Sequence, residues 1–273
     1  MSKTILTPKQ EQEIVYKYTI LKISQNQLHK EYNVSTGTIN RALKRNGVEK
    51  RSLSETNRSK YDINQSFFNK DCLNADGAYI LGLLASDGWV AKNENCVCIE
   101  LQSSDKQILE DINKVLNNER PIKDYIRANE YKNSKLYFYS AQIKNDLRDY
   151  DIVPTKTYNQ DLNFIKNIPE QYQMDFIRGF FDGDGSITDA NGSLRWQLDG
   201  ASFNTLKSIQ TIFKTYGIDL TIIDTTDDTC TIPRYRLYTY GKATCNHIFQ
   251  LFYHNQPILY LHRKYEKFKT LLK

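Results

Sequence analysis

The sequence predicts an α+β fold in which two copies of one helix-and-strand unit are related by a pseudo-twofold axis, preceded by a small all-α segment. Three observations carry this. A nine-residue phrase occurs twice, 97 positions apart, as Ile80-Leu81-Gly82-Leu83-Leu84-Ala85-Ser86-Asp87-Gly88 and Ile177-Arg178-Gly179-Phe180-Phe181-Asp182-Gly183-Asp184-Gly185. An internal repeat of this kind implies two similar substructures. Apolar positions continue to match downstream at the same offset: Val90 with Ile187, Leu101 with Leu198, Leu109 with Leu206, Ile112 with Ile209 and Val115 with Ile212. The charge, finally, is uneven. Residues 1–60 hold 12 Lys+Arg against 5 Asp+Glu, a net of +7, and the remaining 25 basic and 27 acidic residues leave the rest at −2. A basic segment on a nearly neutral body predicts a polyanion-binding attachment. A symmetric pair of acids, Asp87 and Asp184, predicts chemistry on a symmetric substrate such as the two strands of a duplex.

Composition narrows the class. The chain has 273 residues, 40% of them hydrophobic, enough for real cores. No apolar run approaches the roughly 18–20 residues of a membrane helix, and the N-terminus lacks a signal-peptide core. The expected setting is therefore the cytoplasm of a bacterium or phage-infected host, with an organelle or nucleus as the alternative. The five cysteines are odd in number, without a Cys-x-x-Cys pair, and are expected as reduced thiols. The four histidines are scattered and predict no zinc site. Usage rich in Lys, Asn, Ile and Tyr fits an AT-rich genome such as a phage's.

Residues 1–48 read as three short helices. Thr7-Pro8-Lys9-Gln10 offers an N-cap, a proline at the first helical position and a glutamine three residues after the cap. Ser24 caps a second helix carrying Leu28 and Tyr32. After a turn at Asn33-Val34, Ser35 opens a third helix with Ile39, Ala42 and Leu43 inward, and Asn46-Gly47 ends it. The stretch from Gln27 to Leu43 resembles the helix-turn-helix of resolvases and transposases. Its outer face would show Thr36, Gly37, Thr38, Asn40, Arg41, Lys44 and Arg45. Asn and Arg read base edges, while lysine, arginine and hydroxyls suit phosphates. Residues 49–70, polar and without an apolar period, read as a basic linker.

Residues 71–160 and 161–273 read as the two repeats. Each opens with a helix, over 75–86 and 170–183, with Gly88 and Gly185 as terminators. Cys96–Leu101, Leu136–Tyr139 and Arg234–Tyr240 alternate as strands, and 104–117, 203–216 and 243–253 carry helical periods. Leu136-Tyr137 matches Leu237-Tyr238 at an offset of 101, which predicts about four extra residues in the second copy, near Asp224–Asp228. The second motif, Asp182-Gly183-Asp184-Gly185, also invites a calcium-loop reading. That fails because Ile187 stands where the loop needs Gly and Ser193 where it needs Glu.

Over about residues 65–273 the chain resembles the LAGLIDADG homing endonucleases in their single-chain, two-motif form. The resemblance rests on the two motifs, their matching downstream elements, and the phrase Leu261-His262-Arg263-Lys264-Tyr265. It implies a pair of αββαββα units whose sheets form a saddle over DNA and whose motif helices pack at the symmetry axis. Gly82 and Gly179, without Cβ atoms, would let those helices approach. Asp87 and Asp184 would then meet at the negative ends of two helix dipoles, where they repel each other and the dipoles unless a divalent cation binds. Oxygen ligands and retained waters favour Mg²⁺, or Mn²⁺. Gly88 and Gly185 would stand beside the acids as further ligands.

The family places a basic or amide group near the end of each repeat's last strand, which points to Lys242 and, in the first copy, to Gln142 beside Ala141. Ala85 stands where the motif's earlier acid would be, and Asp182 fills that place in the second copy. Glu100, Gln102, Arg195, Gln197, Arg234, Arg236 and Tyr238 are the expected DNA-facing sheet residues.

The resemblance thus implies a monomeric, site-specific double-strand endonuclease of a mobile element, of the intron-homing kind. It would hydrolyse one phosphodiester per strand across the minor groove of an asymmetric site, leaving short 3′ overhangs. The helix-turn-helix would extend the site. The rival readings are a transcription regulator on a retired endonuclease fold, which would bind duplex DNA without cutting, and an RNA-splicing maturase.

Overall fold

A computed structural model describes residues 6–21, 23–51, 63–118, 120–126, 131–154, 165 and 167–273. The chain divides into two compact units, residues 1–62 and 63–273.

The first unit holds three helices: α1 (Pro8–Thr19), α2 (Gln25–Glu31) and α3 (Thr36–Arg45). Thr7 and Gln10 close a capping box on α1, Ser24 and Gln27 close another on α2, and Ser35 accepts from the Thr38 amide to open α3. These contacts satisfy amides that a helix start leaves orphaned. Asn33 and Gly47 have positive φ, as the turns at both ends of α3 require. Ile14, Tyr18, Leu28, Ile39, Ala42 and Leu43 form the unit's core.

The second unit contains the repeats. The first is α4 (Ala75–Asp87), β1 (Gly88–Val90), β2 (Cys96–Gln102), α5 (Lys106–Val115), β3 (Lys123–Ile126), β4 (Lys132–Tyr139) and α6 (Ala141–Asp146). The second is α7 (Gln173–Asp184), β5 (Gly185–Ala190), β6 (Ser193–Gly200), α8 (Phe203–Thr215), β7 (Thr221–Asp224), β8 (Tyr235–Tyr240) and α9 (Lys242–Tyr253). A final helix, α10 (His262–Leu272), follows. Each repeat makes one antiparallel sheet, in the orders β1-β2-β4-β3 and β5-β6-β8-β7. This is the predicted pair of αββαββα units. Apolar residues of one face of each sheet, such as Val97, Ile99, Leu136 and Phe138, or Trp196, Leu198 and Leu237, pack onto the helices in one shared core. Phe181 stacks on Trp196 at 5.6 Å in the second half of that core.

The structure revises several sequence expectations. Ile63, Phe67 and Phe68 are buried in the core, so the stretch 49–70 is not tether throughout. Most of the linker, 52–62, lies outside the described residues, as does the boundary between the repeats at 160–161. Gly88 and Gly185 end their helices in extended backbone, with φ of −88° and −92°, and start strands β1 and β5. They are glycines because the preceding helical turn crowds them. A Cβ at Gly88 would lie 2.6 Å from Leu84 Cδ2, and one at Gly185 2.6 Å from the Phe181 carbonyl oxygen.

Strand register refines the repeat. Ile99 faces Gly88 and Leu136, as Leu198 faces Gly185 and Leu237, so the partner of Leu198 is Ile99 rather than Leu101. The extra residues of the second copy are also not centred on Asp224–Asp228. From starts at Lys106 and Phe203, α5 has 10 residues and α8 has 13, so most of the insertion is one more turn of helix.

Candidate active site

The site is built on α4 and α7, which pack directly against each other. A Cβ at Gly82 would collide with the Phe176 carbonyl oxygen and lie 2.7 Å from the Phe180 nitrogen. A Cβ at Gly179 would collide with the Tyr79 carbonyl oxygen and lie 3.0 Å from the Leu83 nitrogen. The two backbones are therefore in contact at matching glycines. Near their C-terminal ends, Gly183 lies against the first motif so closely that a Cβ there would strike Ser86 and stand 3.0 Å from Asp87 Oδ2. The last residues of both motifs thus converge. Asp87 is half-buried and Asp184 exposed. A cleft of about 700 Å³ opens here, lined by Ser86, Asp87, Gly88, Asp182, Gly183 and Arg263 among others.

Sequence reasoning missed the lysine of this site. Lys264, in the first turn of α10, donates its Nζ to the carbonyl oxygens of Phe181 (2.7 Å), Gly183 (3.0 Å) and Gly185 (2.7 Å). An ammonium at the C-terminus of a helix meets orphan carbonyls and the negative dipole end together. Burial pulls the Lys264 pKa down to about 8, against the attraction of Asp182, Asp87 and Asp184. One lysine therefore senses both motif acids. Because the Gly185 carbonyl carries this ammonium, it is poorly suited to the expected second role as a metal ligand.

Asp182 has a structural place. Its Oδ2 accepts from the Tyr79 hydroxyl of the first motif helix (2.7 Å) and from the Leu261 amide just before α10 (2.7 Å). Its Oδ1 is buried with no hydrogen-bond partner among the described residues. Burial raises its pKa to about 6, opposed by the Leu261 amide, Lys264, the Tyr79 hydroxyl and Arg178. The folded pKa lies above the unfolded one, so this contribution to stability is full below about pH 4 and is lost as pH rises through 6. The rise from the ordinary carboxyl value of 3.8 corresponds to about 3 kcal/mol. With EDTA present, wild-type stability is expected to fall between pH 4 and 6 by roughly this much relative to an Asp182→Asn variant. Parallel pH profiles of urea midpoints would contradict the assignment.

Lys242 and Gln142 are not at the site. Leu237 and Leu136 are the residues of β8 and β4 level with Gly185 and Gly88. Both strands then run away from the motif helices, and Gly241 and Ser140 bond near the far hairpins, to the carbonyls of Leu194 and Asn95. Four residues of strand carry the chain about 13 Å off. Lys242 opens α9 as an exposed residue, and Gln142 donates to Asp146 at 2.7 Å within α6.

The sheet candidates share the face turned from the core. Glu100 pairs with Lys135 at 3.0 Å and accepts from Tyr125 and Asn133. Gln102 is exposed and borders the cleft. Arg195 sits between Thr188 and Tyr240, and Gln197 between Ser186 and Tyr238. Gln197 is only 6% exposed and donates to Asp199, which also takes Arg236 at 2.7 Å. Arg234 is exposed and precedes β8.

In the first unit, Thr36, Gly37, Asn40, Arg41, Lys44 and Arg45 are exposed on α3, and Thr38 is half-buried against Ser35. Arg45, expected to suit a phosphate, pairs with Glu11 of α1. Arg41 folds back on the Gly37 carbonyl at 3.2 Å.

Among the described residues no helix is long and apolar enough to cross a membrane, and no three His, Cys, Asp or Glu gather as a metal site. Over 155 residues the chain is 31% identical to the uncharacterized protein MJ0314 of Methanocaldococcus jannaschii, covering 55% of this chain and 54% of that one. It thus spans about half the length of that relative. Solved structures similar to it include the homing endonuclease I-DmoI in complex with DNA and Ca (TM-score 0.49, 15% identity, 72% of this chain and 97% of that one). Another is full-length DUF199/WhiA from Thermatoga maritima (TM-score 0.47, 15% identity, 72% and 59%). The family model of the LAGLIDADG-like domain matches residues 74–153 and again 171–246. With more than half of its residues matched, in two copies that coincide with the two repeats, the chain belongs to the LAGLIDADG-like domain family.

Proposed function

We propose that this protein is a site-specific, divalent-metal-dependent DNA endonuclease that acts as a monomer on an asymmetric duplex site. The observation that carries the reading is the convergence of Asp87 and Asp184 at the ends of two glycine-packed helices, with Lys264 in electrostatic reach of both. Two carboxylates at converging negative helix ends are held at an electrostatic cost, which a function explains better than stability does.

The donor set fits Mg²⁺ or Mn²⁺. Mg²⁺ is commonly held by one or two carboxylates and completes its shell with waters and substrate phosphate. Asp87 and Asp184 would supply the carboxylates, and their partial exposure leaves room for the rest. Bound there, such a cation would supply an activated water and offset charge on the phosphate and the leaving oxygen. The chain's own residues hold the geometry. Gly82 and Gly179 fix the separation of the helices, and Lys264 neutralises the end of α7. Asp182 ties α7, Tyr79 and the start of α10 together. In the net reaction a water oxygen bonds to phosphorus, the phosphodiester P–O bond to the leaving oxygen breaks, and that oxygen leaves with a proton.

The exposed face of α3, with Asn40, Arg41 and Lys44, is read as a second DNA contact that raises affinity by effective concentration. The deciding experiment is incubation of a randomised duplex library with Mg²⁺ and with EDTA, followed by sequencing of the ends. A discrete, Mg²⁺-dependent pair of nicks offset by a few bases is expected. Enrichment of bound but uncut duplexes would replace this reading with that of a regulator, and preference for RNA over duplex with that of a maturase.

A further inference from the structure

Arg263 and Lys264 are adjacent at the start of α10, yet they serve different repeats. Lys264 is sealed onto the last turn of α7 in the second repeat. Arg263 reaches the first. Its Nε donates to Asp105 Oδ1 at 3.2 Å and its Nη2 to Oδ2 at 3.0 Å, a two-point ion pair. Asp105 is only 7% exposed and precedes α5. Its counterpart at the 97-residue offset is Ser202, which caps α8 by accepting from the Thr205 amide at 3.2 Å. Asp105 makes no side-chain cap bond to α5 and spends its carboxylate on Arg263 instead.

Asp105 and Arg263 both line the cleft that contains Asp87. Among the described residues of that lining, Arg263 is the one cation, against Asp87 and Asp105, with Glu100 already paired to Lys135 and Asp182 bonded to Tyr79 and Leu261. A phosphate chain entering a cleft that holds Asp87 needs a counter-charge. The bidentate contact fixes the guanidinium plane while using two of its five N–H donors. The Arg263 side chain remains 54% exposed, which leaves the rest of the fork open to a second anion.

We infer that Arg263 binds a phosphodiester oxygen of the strand lying in the Asp87 cleft, with Asp105 as its positioning residue. One dipeptide from the end of the second repeat then equips both half-sites with a cation. The inference rests on the endonuclease reading and adds a division of labour between strands.

The test uses the full-length protein, Mg²⁺, and the duplex recovered from the library, with each strand carrying its own end label. Nicking rates are read separately for the two strands. Arg263→Ala is expected to slow one strand on the order of 10²-fold, with little change at the other. Asp105→Asn, which keeps the shape and loses the charge, should slow the same strand by less. Arg263→Lys, which keeps the charge and loses the fork, should fall between wild type and Arg263→Ala. The unaffected strand reports folding and DNA binding in the same molecule. Equal slowing of both strands, or of neither, overturns the inference while the endonuclease reading stands. A wild-type protein that binds the duplex and cuts neither strand sinks both.

Discussion

Asp184→Asn is expected to slow Mg²⁺-dependent hydrolysis by at least about 10³-fold, a loss of roughly 4 kcal/mol in transition-state stabilisation. Asp87→Asn should do the same. Each change removes one of the two carboxylates available to a cation and leaves the shape of the site intact. The fold should survive. Asp184 is exposed and sits at the negative end of α7, so losing its charge removes a repulsion worth about 0.3–1 kcal/mol. Initial rates on the labelled duplex, with urea midpoints measured beside them, separate the two effects. A variant that unfolds more readily and cuts normally would reverse the assignment, making these aspartates helix terminators and nothing more.

Gly179→Ala should destabilise the second unit by about 3 kcal/mol, and Gly82→Ala comparably. The sign is the informative part. Alanine is favoured over glycine inside a helix by about 1 kcal/mol, so without the neighbouring helix the substitution would stabilise. Here the added methyl meets backbone atoms of the partner helix, at Tyr79 and Leu83 in one direction and at Phe176 and Phe180 in the other. Backbone cannot rotate aside as a side chain does, so the helices must separate and open the core around Ile80, Ile177 and Phe181. Because that separation also moves Asp87 from Asp184, cutting should fall more steeply than stability. A Gly179→Ala protein with a raised urea midpoint would show that the close approach is not present in solution.

Much of this was legible because repetition is legible. The paired glycines and acids announce two helices meeting about an axis, and the strand pattern around Cys96–Leu101 and Arg234–Tyr240 locates the sheets. What sequence spacing cannot carry is strand direction and long-range delivery. Lys242 stands at the end of the last strand, but β8 runs antiparallel to β6, so its end lies beside the far hairpin. Lys264 stands 81 residues beyond Gly183 and reaches it only because α10 folds back. The phrase Leu261-His262-Arg263-Lys264 was visible as part of the family likeness, without a sign of what each residue would hold. Asp182 likewise reads in the sequence only as the motif's earlier acid, and the fold alone places the Tyr79 hydroxyl and the Leu261 amide on its carboxylate. The register of β2 shows the same limit. Leu101 and Ile99 are both apolar and share a face, so a two-residue shift leaves the hydrophobic pattern unchanged, and only the ladder decides between them.

The tie between α7 and α10 runs through a short connecting peptide after α9, where Ile258 is 71% exposed. A single proteolytic cut in that peptide would leave the helix pair, both acids and both sheets in one piece. The fragment carrying the Leu261 amide, Arg263 and Lys264 would stay docked, because Leu259, Leu261 and Phe268 are buried in the same core as the helix pair. The covalent link and the buried packing are thus separate holds on the same residues, and only loss of the packing would take Lys264 from the end of α7.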